Sequence, residues 1–299
     1  MDNRESRNVA LGLTPGEERI QWAESTPFLA MHAGCLTAYW AGSSPVALTV
    51  GLTLFWIRMF GITGVYHRYF AHASYKTSRL LQFVLAWIAC TSMQKGPLWW
   101  ASHHRHHHAH SDERDDIHSP VQRGFFWSHM GWIMCTRYEP TRWRLIRQFA
   151  KYRELVWLNK YHLAPGILLA AACYLFGWTL ERYAPGLGTN GFQMLIWGFL
   201  ISTVALYHST FTINSLSHVY GTQRFDTGDQ SRNNWLLALL TLGEGWHNNH
   251  HFYPSSASMG FRWWEIDITF YILKSLAAIG LVWDLKPPPR RAALDIIGS

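Results

Sequence analysis

Six of the eight residues from His103 to His110 are histidine. That density suits neither a solvated face nor a packed core. Helix residues at i, i+3 and i+4 share a face. His104, His107 and His108 follow that spacing, so three imidazoles can converge on one point. The segment Gly243-Glu244-Gly245-Trp246-His247-Asn248-Asn249-His250-His251 repeats it at His247, His250 and His251. The pairs His67/His72 and Asn214/His218 complete the set. Four such groups in one chain read as a metal centre.

Neutral imidazole suits zinc, copper, iron and nickel, so ligand type does not name the metal. Ligand number is more informative. A structural zinc takes four ligands, and a catalytic zinc three plus water. Nine spaced histidines, with Asn214 one turn before His218, exceed one ion and fit two of high coordination number. Two iron ions with open positions for O2 are the expectation, because zinc cannot cycle its oxidation state. His67 and His72 lie about 140° apart on a regular helix. Either the helix ends between them or each serves a different ion. Asp112, Glu113, Asp115, Asp116, Asp226, Asp229 and Glu244 flank the boxes and can accept the second N–H of ligand imidazoles. His32, His118, His129, His162 and His208 stand apart and read as structural or surface residues.

Aromatic residues make up 15% of the 299-residue chain, including 17 tryptophans, and charged residues only 15%. Such a balance points to aromatic belts at a lipid boundary. Apolar runs near residues 27–42, 45–63, 162–179 and 191–213 are expected to span a membrane, each close to the minimum length. Residues 64–154 and 214–285 form a polar, histidine-rich cap, in which 80–90 and 261–283 are buried or interfacial rather than spanning. Residues 1–26 and 286–299 are tails. The fold class is therefore an all-α integral membrane protein with four spans and a helical cap. The turns between paired spans are poor in Lys and Arg, whereas 64–154 is rich in them. The positive-inside rule puts the cap and both termini in the cytoplasm.

The four cysteines are scattered without a Cys-x-x-Cys pair, and the N-terminus lacks the apolar stretch of a signal peptide. The net charge of +7 matches anionic lipid or an acidic partner; no nucleic-acid module is recognisable. The basic, aromatic run from Arg137 to Arg153 reads as a headgroup-facing surface or a docking face for an acidic carrier.

Gly64-Val65-Tyr66-His67-Arg68-Tyr69-Phe70-Ala71-His72, His104-Arg105-His106-His107-His108, Asn214-Ser215-Leu216-Ser217-His218 and the Gly243–His251 segment together resemble the membrane fatty acyl desaturases, nearest to the stearoyl-CoA-type Δ9 branch. Arg123-Gly124-Phe125-Phe126-Trp127-Ser128-His129-Met130-Gly131-Trp132 is similar to that branch too. The resemblance runs from about residue 45 to 285. It implies a cytosolic cap holding two irons, with the nine histidines as ligands and Asn214 reaching iron through water. The implied reaction is O2-dependent insertion of a cis double bond into a long saturated acyl chain. Gln94, Trp100, Thr210 and Phe211 match positions lining the family's bent acyl tunnel. Ser102 and His103 stand where animal members carry charged residues that hold coenzyme A, and Lys95 also differs. The head group expected is coenzyme A, with acyl-carrier protein and a glycerolipid as the alternatives.

No haem, flavin or iron–sulfur motif is present, so a separate donor (a ferredoxin or a cytochrome-type carrier with its reductase) is expected to bring electrons. A histidine-box hydroxylase is the enzymatic alternative. A membrane metal-binding or transport protein is the non-enzymatic one.

Overall fold

The computed structural model describes residues 19–289; most of the N-terminal tail and the end of the C-terminal tail lie outside them. Three helices are long and apolar enough to cross a membrane: α2 (Pro45–Ala71), α7 (Ala164–Tyr183) and α8 (Gly191–His218). The expected run 27–42 is divided between α1 (Thr26–Cys35) and a single turn, Ala38–Ala41. The break falls at Leu36 and Thr37, whose N–H groups reach back only three residues, to Ala33 and Gly34.

α2 starts sharply. Ser44 accepts the N–H of Ala47, and Pro45 occupies the first turn, where a missing N–H costs nothing. α2 and α8 approach closely at Gly51, where a Cβ would lie 2.6 Å from the carbonyl oxygen of Trp197. Only a residue without a side chain permits that approach. Arg58 faces the protein. Its guanidinium donates to the carbonyl of Leu54 at 3.0 Å, to the Thr203 hydroxyl at 2.6 Å and to the Ser202 hydroxyl.

The helix does not end where the cap is expected to begin, near residue 64. α2 runs on as a π-helix over Gly61–Ala71, so the first histidine box rides on the extension of a span. The other boxes sit on α4 (Pro97–His110), on the end of α8 and on the short α10 (His247–Phe252). The apolar stretch before the second box is α3 (Arg79–Cys90), and the stretch near the C-terminus contains α11 (Ile268–Ala278); both are too short to span. Between α4 and α7 lie the short α5 (Phe125–His129) and α6 (Arg153–Lys160), and α9 (Trp235–Leu240) precedes α10. The fold is not wholly helical. Lys76–Thr77 pairs antiparallel with Val282–Trp283, tying the chain after α11 to the loop after the first box.

Candidate metal centre

The four boxes meet in two adjoining groups. His67, His72, His104, His108 and His250 present ring nitrogens that all lie within 4.8 Å of one another. His107, His218, His247 and His251 form the second group by the same measure. The rings of His108 and His251 stack at 4.5 Å between centroids, so the groups share a wall.

This corrects the expectation that each His-x-x-His-His box serves one point. The three positions span about 100° of helical arc, at about 100° per residue. The i and i+4 rings go to one group and the i+3 ring to the other. His104 and His108 join the first group and His107 the second; His247 and His251 join the second and His250 the first. Each box therefore straddles both groups with the same division.

His67 and His72 both belong to the first group. The N–H of His72 bonds the carbonyl of His67 at 3.1 Å, a five-residue step that brings the two side chains to one side. Asn214 ends the α-helical part of α8, and a tight turn, Leu216–His218, swings His218 to the second group.

Four carboxylates orient these rings. Nδ1 of His107 faces Asp116 at 3.0 Å, that of His218 faces Asp112 at 2.8 Å, and that of His251 faces Asp229 at 2.6 Å. His67 Nδ1 pairs with Glu244. A proton held on Nδ1 leaves a lone pair on Nε2. Yet Nε2 atoms face one another, at 3.0 Å for His67/His250, 2.9 Å for His72/His104 and 3.0 Å for His218/His247. The buried Nε2 of His251 has no hydrogen-bond partner among the described residues. A hydrogen can satisfy one facing pair but not four or five ring nitrogens gathered within 4.8 Å of one another, so the donor set fits metal ions.

Burial, followed by neighbouring imidazoles, holds His72, His104, His108, His247 and His250 well below the ordinary histidine pKa. Burial lowers His251 to about 4 against the opposing pull of Asp229. At His107 burial also works downward, but Asp116 more than offsets it and the net shift is upward. The other flanking acids do different work. Glu113 faces His110, Asp115 offers its backbone carbonyl to His106 at 3.0 Å, and Asp226 closes a turn at Gly228.

Two cavities border the centre. A cavity of about 30 Å³ lies among His67, Trp100, His104, His107, Asn214 and His247. A second, of about 470 Å³, is lined by Gln94, Trp100, Thr210, Phe211 and Asn214 and extends toward Phe28 and Met31. Its size falls within the roughly 300–1,000 Å³ of small-molecule sites. Trp100 stacks on His104 at 5.0 Å and 18°, and Gln94 donates to the Thr210 hydroxyl at 3.1 Å. Phe211 stacks on Tyr207. Ser102 is fully buried, donating to the carbonyl of Trp99, and so is closed to a head group; buried His103 lines the larger cavity.

Some residues carry the site without a spacing signal. Buried Arg68 bridges Glu244 at 3.2 Å and Asp267 at 3.0 Å. Arg105, between two box histidines, binds the carbonyls of Phe70, Ala71 and Leu145. His118, taken as a lone residue, stacks within 4.4 Å of His107 and forms a further tight set with it and Asp116. Arg68 and Arg105 are visible in sequence only as single basic residues inside their boxes.

Helices long and apolar enough to cross a membrane, with two histidine groups that could hold metal ions beside a mainly apolar cavity, fit one class: membrane-type histidine-box oxidoreductases. Comparison with known proteins gives the family. The fatty acid desaturase profile matches residues 43–284. The chain is 38% identical over 267 residues to an acyl-CoA 5-desaturase of Anemone leveillei, covering 86% of this chain and 77% of that one. It is 34% identical over 282 residues to the sn-2 palmitoyl-lipid 9-desaturase of Nostoc sp. (strain 36), covering 92% and 93%. It is 35% identical over 282 residues to the sn-1 stearoyl-lipid 9-desaturase of Anabaena variabilis, covering 91% and 96%. The chain belongs to the fatty acid desaturase family and is an oxidoreductase, not a metal store or transporter.

Proposed function

We propose that this protein inserts a cis double bond, at C9 counted from the carboxyl end, into a saturated acyl chain of about 16–18 carbons. Methylenes along such a chain are chemically alike, so regiochemistry comes from positioning alone. The observation that carries the reading is the junction of the two cavities. Trp100 and Asn214 line both, so a chain threaded through the larger cavity passes the wall of the smaller one. Two iron ions, one per histidine group, would supply the one-electron O2 chemistry that removes two hydrogens.

The protein's own part is geometric. The nine histidines hold the metals, and Asn214 reaches the same space from α8. Asp112, Asp116, Asp229 and Glu244 fix the tautomers and offset positive charge. Trp100 and the Gln94–Thr210 hydrogen bond set where the chain bends.

The substrate is an acyl-CoA or an acyl chain on a glycerolipid. The two relatives that align nearly end to end with this chain are named lipid 9-desaturases, which favours the glycerolipid. At the cavity mouth Lys95 is engaged by Glu139 at 3.4 Å.

The protein sits in the membrane as a multi-pass domain over about residues 27–285, with α1 and the following turn completing a fourth span. The metal centre and both termini lie on the cytoplasmic side. A separate carrier supplies electrons. Reconstituted protein with reductant, offered stearoyl-CoA or a stearoyl glycerolipid, tests the reading. A C9 monoene from either substrate supports it and identifies the head group; a hydroxylated product from both overturns it.

A further inference from the structure

Three consecutive residues of the loop between α3 and α4, Met93, Gln94 and Lys95, all line the larger cavity. In an extended chain successive side chains point to opposite sides, so three in a row cannot share one wall. The backbone here avoids that alternation. Met93 has a φ of 61° and Lys95 a φ of 65°, both in the left-handed region, with Gln94 between them. Left-handed backbone is unfavourable for a residue with a Cβ and persists only where the surroundings hold it.

Two tyrosine hydroxyls, from two of the long apolar helices, do the holding. Tyr207 of α8 donates to the carbonyl of Met93 at 3.1 Å, and Tyr66 of α2 donates to the carbonyl of Lys95 at 2.8 Å. Each bond grips the carbonyl of one left-handed residue, so the pair brackets Gln94. Both tyrosines are buried. The chain just beyond is fixed as well. The side-chain carbonyl of Asn159, on α6, accepts the N–H groups of Leu98 at 3.1 Å and Trp99 at 2.8 Å at the start of α4. From the middle of this held loop the Gln94 amide reaches across the cavity wall to the Thr210 hydroxyl at 3.1 Å.

A plain connection between two helices does not account for this arrangement. The Met93 N–H bonds the carbonyl of Cys90 at 3.1 Å, so Met93 is the left-handed residue that closes α3, a place where glycine is usual. Gly188 fills the equivalent place after the turn Pro185–Leu187. Methionine adds a side chain that lines the cavity and whose sulfur fills the space beside Gly166, leaving no room there for a Cβ. Tyr207 lines the same cavity and stacks on Phe211 at 5.7 Å between centroids. The unfavourable backbone and the bonds that hold it all meet at one wall of the larger cavity.

We propose that the hydroxyls of Tyr66 and Tyr207 position the double bond: they clamp the Met93–Lys95 loop so that the Gln94 amide stays on Thr210 and fixes where the acyl chain bends. The inference deepens the desaturase reading and rests on it. Neighbouring methylenes differ only in place, so moving the bend by one carbon changes which product forms and leaves the chemistry as it was. Groups that hold the bend therefore act on product identity more than on metal binding. The two hydroxyls act through the loop, as positioning groups.

Tyr207→Phe keeps the ring and its stack on Phe211 and removes only the hydroxyl. It should bind as much metal as the wild type. The share of monoene displaced from the wild-type position should rise about fivefold, the ratio that one net hydrogen bond is worth. Gln94→Ala should displace the isomers too. Adding Tyr207→Phe to it should displace them little further, because both changes act on one bend. Mass spectrometry of the product isomers, with metal per chain and melting temperature, reads these variants against the wild type. Should Tyr207→Phe fail to fold, Tyr66→Phe removes the other hydroxyl and carries the same expectation. An unchanged isomer ratio in the folded tyrosine variant, whatever its metal content or melting temperature, would overturn the clamp. So would a displacement that persists in full on the Gln94→Ala background. A wild type that makes no monoene would refute the desaturase reading and the clamp together, whereas a wild-type monoene with unmoved isomers in the variants refutes the clamp alone.

Discussion

His67 and His72 turn to the same metal group although five residues separate them, because the backbone between them is wound as a π-helix. The N–H of His72 reaches the carbonyl of His67 at 3.1 Å, and the ring centroids are 4.9 Å apart. On a regular helix the pair would diverge by about 140°. The wider turn carries a helix long enough to cross a membrane directly into the candidate metal centre, and buried Arg68 locks it there through Glu244 and Asp267. π-turns of this kind concentrate at functional sites.

The division of each box between two groups predicts how metal is lost. His104→Ala, His108→Ala or His250→Ala should empty the first site, and His107→Ala, His218→Ala or His247→Ala the second. Each should leave roughly one ion per chain and no activity. His106→Ala should keep both ions and most turnover, since that ring belongs to neither group and bonds the carbonyl of Asp115. Asp112→Asn or Asp229→Asn should weaken metal binding about 10–100-fold. Metal analysis alongside product formation checks the set. Loss of metal in His106→Ala with retention in His107→Ala would refute the register.

Trp100 stacks on His104 and lines both cavities. Trp100→Ala should broaden the double-bond position before it lowers metal content. Mass spectrometry of the product isomers, with metal per chain, reads both. A single unchanged isomer would mean the bend is set elsewhere.

Arg105 ties the second box to the turn at Leu145, which places the basic run beside the metal centre. Arg144 and Arg147 are exposed there, whereas Arg142 is half-buried and packs its backbone on Ser102. The double reversal Arg144→Glu, Arg147→Glu should slow reduction by an acidic carrier and flatten its salt dependence. Protein without any reductant should not turn over. Unchanged reduction kinetics in the variant would move the docking face.

The metal-free protein should lose stability in acid. His251 is held at about 4 against an ordinary 6.5, and five other cluster histidines are also pulled down. Between those values the unfolded chain binds more protons than the folded one. Stability is complete above about pH 6.5 and drains away as the pH falls toward about 4. His107, shifted upward, works the other way but is outnumbered. Chelator-treated protein should melt at a lower temperature near pH 5 than near pH 7.5; the reverse order would contradict the assignment.

Spacing made the ligand boxes legible because i, i+3, i+4 patterns report a shared helix face directly. It did not reveal which ring serves which metal, since that depends on how α4 and α10 face each other across the site. The π-helix left no mark in the run Gly61-Ile62-Thr63-Gly64, whose apolar pattern reads equally well as a regular turn. Three long apolar helices were visible from composition, but the break at Leu36 was not, as the single glycine before it, Gly34, is common inside membrane helices. Four of the seven flanking acids do orient ring nitrogens; proximity in sequence could not separate them from Glu113, Asp115 and Asp226. The hydrogen bonds from His208 to His129 and to His32 left no spacing signal, since they join residues 79 and 176 positions apart in the chain.

The central claim is tested most directly by gas chromatography of lipids from a host that cannot make unsaturated fatty acids, expressing this chain or its His107→Ala variant. The account predicts growth and a cis-9 monoene with the wild type, and neither with the variant. Metal-loaded wild-type protein in the membrane with only saturated chains in the lipids would contradict it.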